Sequence, residues 1–225
     1  MRKTIWVFCK NHDLRNNSLV RQLNDFDSRI LYKMEIEKLV GKDFYLRVIT
    51  LNDITEKYVN WLNDTEVNQY LECRFNVATI ESVQKYVQSI DNETNFLFGI
   101  FKINASGNDQ HIGNIRIEVN KHHNTAYFGY MVGDKDYWGT LAATESIILI
   151  LDFAFNELKV RKLWAAIYLN NISAIFTIKR LGFQQDGRLR KHVILDNGTT
   201  DLLNFSILEN EWLQLESTLK RHLSL

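Results

Sequence analysis

The sequence predicts a mixed α/β fold built on one largely antiparallel sheet flanked by helices, and three observations predict it. The hydrophobic period changes from helical to two at NFLFGIFKI, HIGNIRIEV and TAYFGYMV. The joints between those three segments, ASGND and NKHHN, are short and turn-forming, so the strands form an antiparallel meander. The segment DYWGTLAATESIILILDFAFNELKV is apolar nearly all round, as a buried helix is.

The elements follow in order. KTIWVFC reads as a short strand, and NSLVRQLNDF through RILYKMEIEKL reads as helical. Gly41 and Lys42 mark a turn and Phe44 to Ile49 alternates like a strand, which places a boundary near residue 40. Residues 1–40 are therefore set apart as an N-terminal extension that adds a strand, caps a dimer or is the remnant of another domain. Residues 41–225 form the main domain. Asn52 or Asp53 is expected to cap a helix carrying Ile54, Tyr58, Trp61 and Leu62. Asp64 and Thr65 restart a second short helix, and Thr79 and Ser82 open a third. After the meander and the apolar helix come a strand, RKLWAAIYL, and a helix, NISAIFTIKRLGF, stopped by Gly182. A last hairpin turns around Asp196–Gly198, and ENEWLQLESTLKRHL closes the chain as an amphipathic helix. The order is β-ααα-βββ-α-β-α-ββ-α.

Bulk properties exclude several classes of function. A chain of 225 residues with formal net charge zero suits one domain, with or without an appendage, and carries no basic stripe for nucleic acid. The longest apolar run, LWAAIYL, is far too short to span a membrane, and MRKTIWVFCKNH is too polar for a signal peptide, so a cytoplasmic location is expected. Cys9 and Cys73 make no metal pattern. Proline is absent where roughly eleven would be average, so helices must start on Ser, Thr, Asp or Asn caps.

Four stretches, WLNDTEVNQYLE, HIGNIRIEV, GDKDYWGTLAATES and NNISAIFTIKRLGF, resemble the GNAT superfamily of acyl-CoA-dependent N-acetyltransferases. The likeness covers about residue 40 to residue 212 and is strongest to ribosomal-protein N-terminal acetyltransferases and bacterial amino-sugar N-acetyltransferases. It implies acetyl-CoA as co-substrate, no metal, and a third meander strand that splays from the next parallel strand to admit the pantetheine arm. On this resemblance the backbone of Met131 and Val132 serves the thioester, and Trp138, Gly139, Thr140, Leu141, Ala142, Ala143 and Thr144 cradle the pyrophosphate. Asn171 and Ser173 lie along the CoA arm. Two positions depart from the pattern. Leu141 stands where the family has its central glycine, which sets an isobutyl group beside the phosphates. Ile178 stands where many members have a tyrosine that protonates the leaving thiolate.

The acetyl transfer this implies needs a proton acceptor for the amine and N–H donors for the oxyanion. Glu118, on the polar face of the second meander strand with Arg116, and His123, in the adjoining hairpin loop with His122, are the base candidates. A cation beside Glu118 makes it a weaker base and a fair binder of an ammonium. Trp61, Tyr70 and Arg116 are candidates for lining the acceptor site. The run Arg188 to His192 reads as a charged edge strand rather than a phosphate clamp. The expected partner is a small amine, a nucleotide-linked amino sugar first, a protein N-terminus second and a polyamine or drug amine third, with a homodimer allowed. A GNAT-fold interaction module with impaired catalysis is the competing reading.

Overall fold

The computed structural model describes Ile36, residues 38–105, Gly107 and residues 109–222. The strand and helix expected before Ile36 lie outside the described residues. Eight strands form one sheet in the order β1-β2-β3-β4-β5-β6-β8-β7. They are β1 (Leu39–Val40), β2 (Phe44–Val48), β3 (Asn95–Lys102), β4 (Gln110–Asn120), β5 (Thr125–Val132), β6 (Lys162–Tyr168), β7 (Gln184–Leu195) and β8 (Gly198–Leu208). Every neighbouring pair is antiparallel except β5 and β6. Among the described residues the helices are α1 (Glu56–Asn63), α2 (Thr65–Asn68), α3 (Ile80–Gln88), α4 (Ala142–Asp152), α5 (Ile172–Arg180) and α6 (Glu209–His222).

Caps set most of these boundaries. The side chain of Thr55 accepts from Tyr58 N–H and starts α1, in place of the expected Asn52 or Asp53. Residues Leu51–Asp53 form a separate 3-10 turn, because the Asp53 carboxylate is drawn to Arg47 at 2.6 and 2.7 Å. Asp64 caps α2 as expected, and Thr79 and Ser82 cap α3 reciprocally. Leu39, expected at the end of a helix, pairs instead with Leu46, and Val40 pairs with Tyr45. The long apolar helix stops sooner than its pattern suggests: after Asp152 the chain makes one π-helical turn, Phe153–Glu157. Arg188 to His192 does lie on an edge strand, with β7 outermost.

The two sheet faces divide the labour. One buries Phe96, Phe98, Ile115, Ile117, Phe128, Leu163 and Phe205 under α4 and α6, and Tyr130 and Val132 of β5 pack into this core. On the opposite face Met131 packs with Ile54, Tyr58, Val59, Trp61 and Val83 of the early helices. Alternation along β5 therefore sends Tyr127, Gly129 and Met131 to the early helices and Phe128, Tyr130 and Val132 to α4 and α5. Their β4 partners Glu118, Arg116 and Asn114 share the early-helix face.

The candidate active site

β5 and β6 pair in parallel only from Thr125–Tyr127 to Lys162–Trp164, although β5 continues to Val132 and β6 to Tyr168. Beyond the paired residues the strands diverge, and a cleft of about 590 Å³ fills the gap. Its walls are Tyr127–Val132, Ala165–Tyr168, the loop Tyr137–Leu141, the start of α4, α5, and Tyr70 and Leu71 from the early helices.

The start of α4 leaves backbone N–H groups open, a setting that suits an anion. Gly139 takes φ +73°, a backbone state that an L side chain rarely adopts. Leu141 is the N-cap and supplies no side-chain cap. Thr140 Oγ1 accepts from Ala142 N–H at 3.2 Å, and the first helical bond is Glu145 N–H to Leu141 C=O. Among the described residues the N–H groups of Ala143 and Thr144 have no protein partner. They line the gap at the positive end of an eleven-residue helix.

The loop is anchored from three sides. Trp138 Nε1 donates to Val132 C=O at 2.7 Å, and Lys135 lies over the indole. Asp134 accepts from Lys57 at 2.6 Å and from Gln110 at 2.8 Å. Burial works against the charge on Asp134, but Lys57 and the Asp136 N–H hold its carboxyl below the ordinary carboxylate range. Gly133 lies flat on Trp61: a Cβ there would sit 2.2 Å from the indole ring. From the helix side, the fully buried Glu145 carboxylate accepts N–H bonds from Asp43 at 2.8 Å and Phe44 at 3.0 Å.

The structure gathers most of the residues expected along CoA. Met131, Val132, Trp138, Gly139, Thr140, Leu141, Ala143, Thr144, Asn171 and Ser173 all line the cleft, as does Tyr70. Ala142 does not; its side chain is buried and its N–H belongs to Thr140. The Asn171 side chain caps α5, accepting from Ala174 N–H at 3.2 Å. Leu141 has an ordinary φ of −79°, so the backbone needs no glycine there, and its side chain is 49% exposed at the cleft mouth.

Four expected residues lie elsewhere. Trp61 is a buried prop, set against Gly133, His111 and Tyr58, and not part of the cleft wall. Arg116 and Glu118 pair with each other, and Arg116 also reaches Asn95. Glu118 stands opposite Tyr127, where the seam is still closed. His123 is in the β4–β5 turn, where its carbonyl accepts from Arg161. That turn precedes Thr125, and Thr125 to Met131 spans roughly 20 Å of strand. The hairpin register therefore carries His123 to the end of the sheet away from the cleft.

A group missed by sequence reasoning stands closer. Glu72, in a 3-10 turn (Glu72–Phe75) after α2, bonds the Tyr168 hydroxyl at 2.5 Å. Arg74 donates to the same hydroxyl at 3.2 Å and to the carbonyls of Gln69 and Ile194, tying the turn to β6 and β7. Tyr70 donates to Asn170 C=O at 3.2 Å, its ring 6.0 Å from that of Tyr168. Tyr127 and Trp164 meet at 4.8 Å across the seam. The cleft thus opens onto an aromatic wall that Glu72 reaches through Tyr168, and Glu66, paired with Lys135 at 2.6 Å, is the carboxylate among its lining residues. No helix among the described residues is long and apolar enough to cross a membrane, and no cluster of His, Cys, Asp or Glu among them could hold a metal.

An N–H-lined helix start stands at one end of a strand gap and an aromatic wall at the other. The Acetyltransferase (GNAT) domain model matches residues 43–184, and the chain belongs to that family. It is similar to the probable N-acetyltransferase YjcK of Bacillus subtilis, with 27% identity over 76% of this chain and 96% of that protein. The spermidine N(1)-acetyltransferase of Escherichia coli is 26% identical over 45% of this chain and 54% of that protein. Among solved structures, spermidine N-acetyltransferase from Vibrio cholerae in complex with CoA and spermine superposes with a TM-score of 0.67 at 20% identity, over 76% of this chain and 98% of that one. RimL, a ribosomal L7/L12 alpha-N-protein acetyltransferase in complex with CoA, gives 0.67 at 16% identity, over 78% and 99%. The protein is an N-acetyltransferase of mixed α/β GNAT fold.

Proposed function

We propose that the protein transfers acetyl from acetyl-CoA to a small primary amine by direct attack of the amine on the thioester. The observation that carries this is the β5–β6 gap ending on the free N–H groups of Ala143 and Thr144. Those N–H groups and Gly139 suit the pyrophosphate, and the β5 backbone beyond Tyr127, unpaired on its β6 side, suits the pantetheine arm. Calorimetric titration with acetyl-CoA tests this first: micromolar binding supports it, and no binding at millimolar ligand overturns it. In Leu141→Gly the cradle loses its isobutyl group and gains a better N-cap, so CoA affinity is expected to rise about fivefold. An unchanged affinity would show that the Leu141 side chain does not crowd the phosphates.

The acceptor enters from the early-helix side, against Tyr70, Tyr127, Trp164 and Tyr168, with Glu72 meeting its ammonium. The carboxylates of this side are matched by cations: Glu118 by Arg116, Glu66 by Lys135, and Glu72 by Arg74 through Tyr168. Such a nearly balanced wall suits a monoamine on a polar body, as in a nucleotide-linked amino sugar, better than a polycation. The spermidine acetyltransferases among the relatives support a polyamine as the second reading, and a protein N-terminus is the third. A screen of UDP-amino sugars, spermidine and N-terminal peptides separates the three. For the true acceptor, Glu72→Gln should raise KM about tenfold, the scale of one hydrogen bond to a charge, with kcat little changed.

A further inference from the structure

A second cavity, of about 550 Å³, shares Gln69 and Tyr70 with the cleft. It opens between the early helices and the tip of the β7–β8 hairpin, and its place follows from strand lengths. β6 ends at Tyr168, opposite Leu202, whereas β8 begins at Gly198 and β7 runs on to Leu195. The hairpin therefore overshoots β6. Arg74 donates to Ile194 C=O and Thr200 donates to Asn170 Oδ1, which ties the overhang to the early helices and to the loop after β6. Leu195, Asp196 and Asn197 at the tip form one wall of the cavity.

What the walls offer is polar and nearly uncharged. Six of the side chains are amides: Asn63, Asn68, Gln69, Asn76, Asn170 and Asn197. Asn63 is spent, its Nδ2 donating to Ala78 C=O and its Oδ1 accepting from Ala78 N–H. The other five keep groups open. Asn68 is buried and gives Nδ2 to Leu62 C=O at 2.7 Å, which leaves Oδ1 without a partner among the described residues. Gln69 gives Nε2 to Glu66 C=O and keeps Oε1, while Asn170 accepts from Thr200 and keeps Nδ2. The side chains of Asn76 and Asn197 have neither end engaged among the described residues. Phe75 adds an apolar plate: Arg74 lies over its ring at 4.3 Å, yet the side chain is 60% exposed. Among the described residues the walls hold one cation and one carboxylate. The cation, Arg74, spends its guanidinium on Gln69 C=O, Ile194 C=O and the Tyr168 hydroxyl; the carboxylate, Asp196, is exposed at the hairpin tip.

We propose that this cavity binds the body of the acceptor, and that the body is a sugar ring. This rests on acetyl-CoA occupying the β5–β6 gap and an amine attacking it there. An amide both donates and accepts, as a ring hydroxyl does, so a set of free amides matches a ring edge carrying several hydroxyls. The ring's C–H face has Phe75 to lie on. A polyamine brings only donors and several charges, which a wall with one exposed carboxylate does not balance. An alkylamine would cover the amides without bonding them, at the cost of leaving them unpaired. The amino group passes Tyr70 into the cleft while the ring stays behind among the amides, so the second cavity sets which amines are presented to the thioester.

The test uses glucosamine, cyclohexylamine and spermidine as acceptors for the parent, Asn76→Ala and Asn197→Ala, with acetyl-CoA affinity measured for each protein by calorimetry. Each variant is compared with the parent on the same acceptor, which cancels differences in amine basicity. Both variants should raise KM for glucosamine about fivefold, the scale of one neutral hydrogen bond, with acetyl-CoA affinity unchanged. KM for cyclohexylamine, a ring of the same size without hydroxyls, should move by less than about twofold. A second readout needs no turnover: N-acetylglucosamine, the product, should bind the CoA-loaded parent and bind each variant about fivefold more weakly. The proposal is overturned if neither variant moves KM for glucosamine, or if KM for cyclohexylamine rises equally, which would mark the two residues as structural. It is also overturned if the parent prefers spermidine or cyclohexylamine to glucosamine. A parent that fails to bind acetyl-CoA, or acetylates none of the three amines, would instead sink the reading of the cleft.

Discussion

Glu145→Ala is expected to lose about 3–5 kcal/mol of stability, from two buried hydrogen bonds to a charge and two stranded N–H groups. The carboxylate is fully buried on α4, and one oxygen alone holds the N–H groups of Asp43 and Phe44. It is the link between the first turn of the cradle helix and the start of β2. Gly41 makes room for it, since a Cβ there would sit 2.2 Å from Glu145 Oε1. Glu145→Gln keeps an acceptor for both N–H groups but sets its NH2 where the second carboxylate oxygen has no partner, so it should restore only part of the loss. Urea melts of the three proteins measure this directly. If the alanine variant unfolds at the parental midpoint, the two N–H groups have found other partners and the link is not what holds α4 in place.

Trp61→Ala should cost a similar amount, about 3–5 kcal/mol, as large-to-small changes in a packed core do. The indole supports the turn between β5 and the cradle through Gly133, and it stands edge-on to His111 at 5.3 Å. His111 is itself stacked on Phe101 at 5.0 Å, and burial lowers its pKa, so the cluster prefers it neutral. Removing Trp61 opens this cluster to water and loosens the turn. The expected signature is a lower melting temperature together with a raised KM for acetyl-CoA, although Trp61 does not line the cleft. A change in acceptor KM alone would return Trp61 to the substrate-binding role expected from sequence.

The two props explain what could be read from the chain and what could not. Periodicity located the meander, the buried helix and the amphipathic early helices, because those patterns follow from which face meets the core. The caps Asp64 and Thr79 were legible, since short polar side chains before an apolar turn have one main use. Thr55 was missed because Asn52 and Asp53 are equally good caps on paper; the choice was made by Arg47, a strand residue that captures Asp53. In the site, Gly139 and the residues around it were legible as a loop entering a helix. Glu72 was not, because a carboxylate in a 3-10 turn carries no periodic signal, and its role depends on Tyr168, 96 residues away. His123 misled for the opposite reason: being one turn from Glu118 in sequence says nothing about which end of a sheet a hairpin closes.

The short parallel seam has a further consequence, for how the molecule assembles. On one side of it, β1 to β5 follow one another across the sheet in chain order; on the other, β6, β7 and β8 form a block of their own. Within the blocks, the β3–β4, β4–β5 and β7–β8 hairpins pair segments that adjoin along the chain, which favours their early formation. Only the three residue pairs from Thr125–Tyr127 to Lys162–Trp164 stitch the blocks together within the sheet. The cleft is therefore expected to be the last part of the fold to close and the first to breathe. In hydrogen exchange, amides of Phe128–Val132 that face the gap should exchange by local opening well below the global unfolding energy. A ligand lying in the gap would join two folding units, and its binding energy would appear as cooperativity between them.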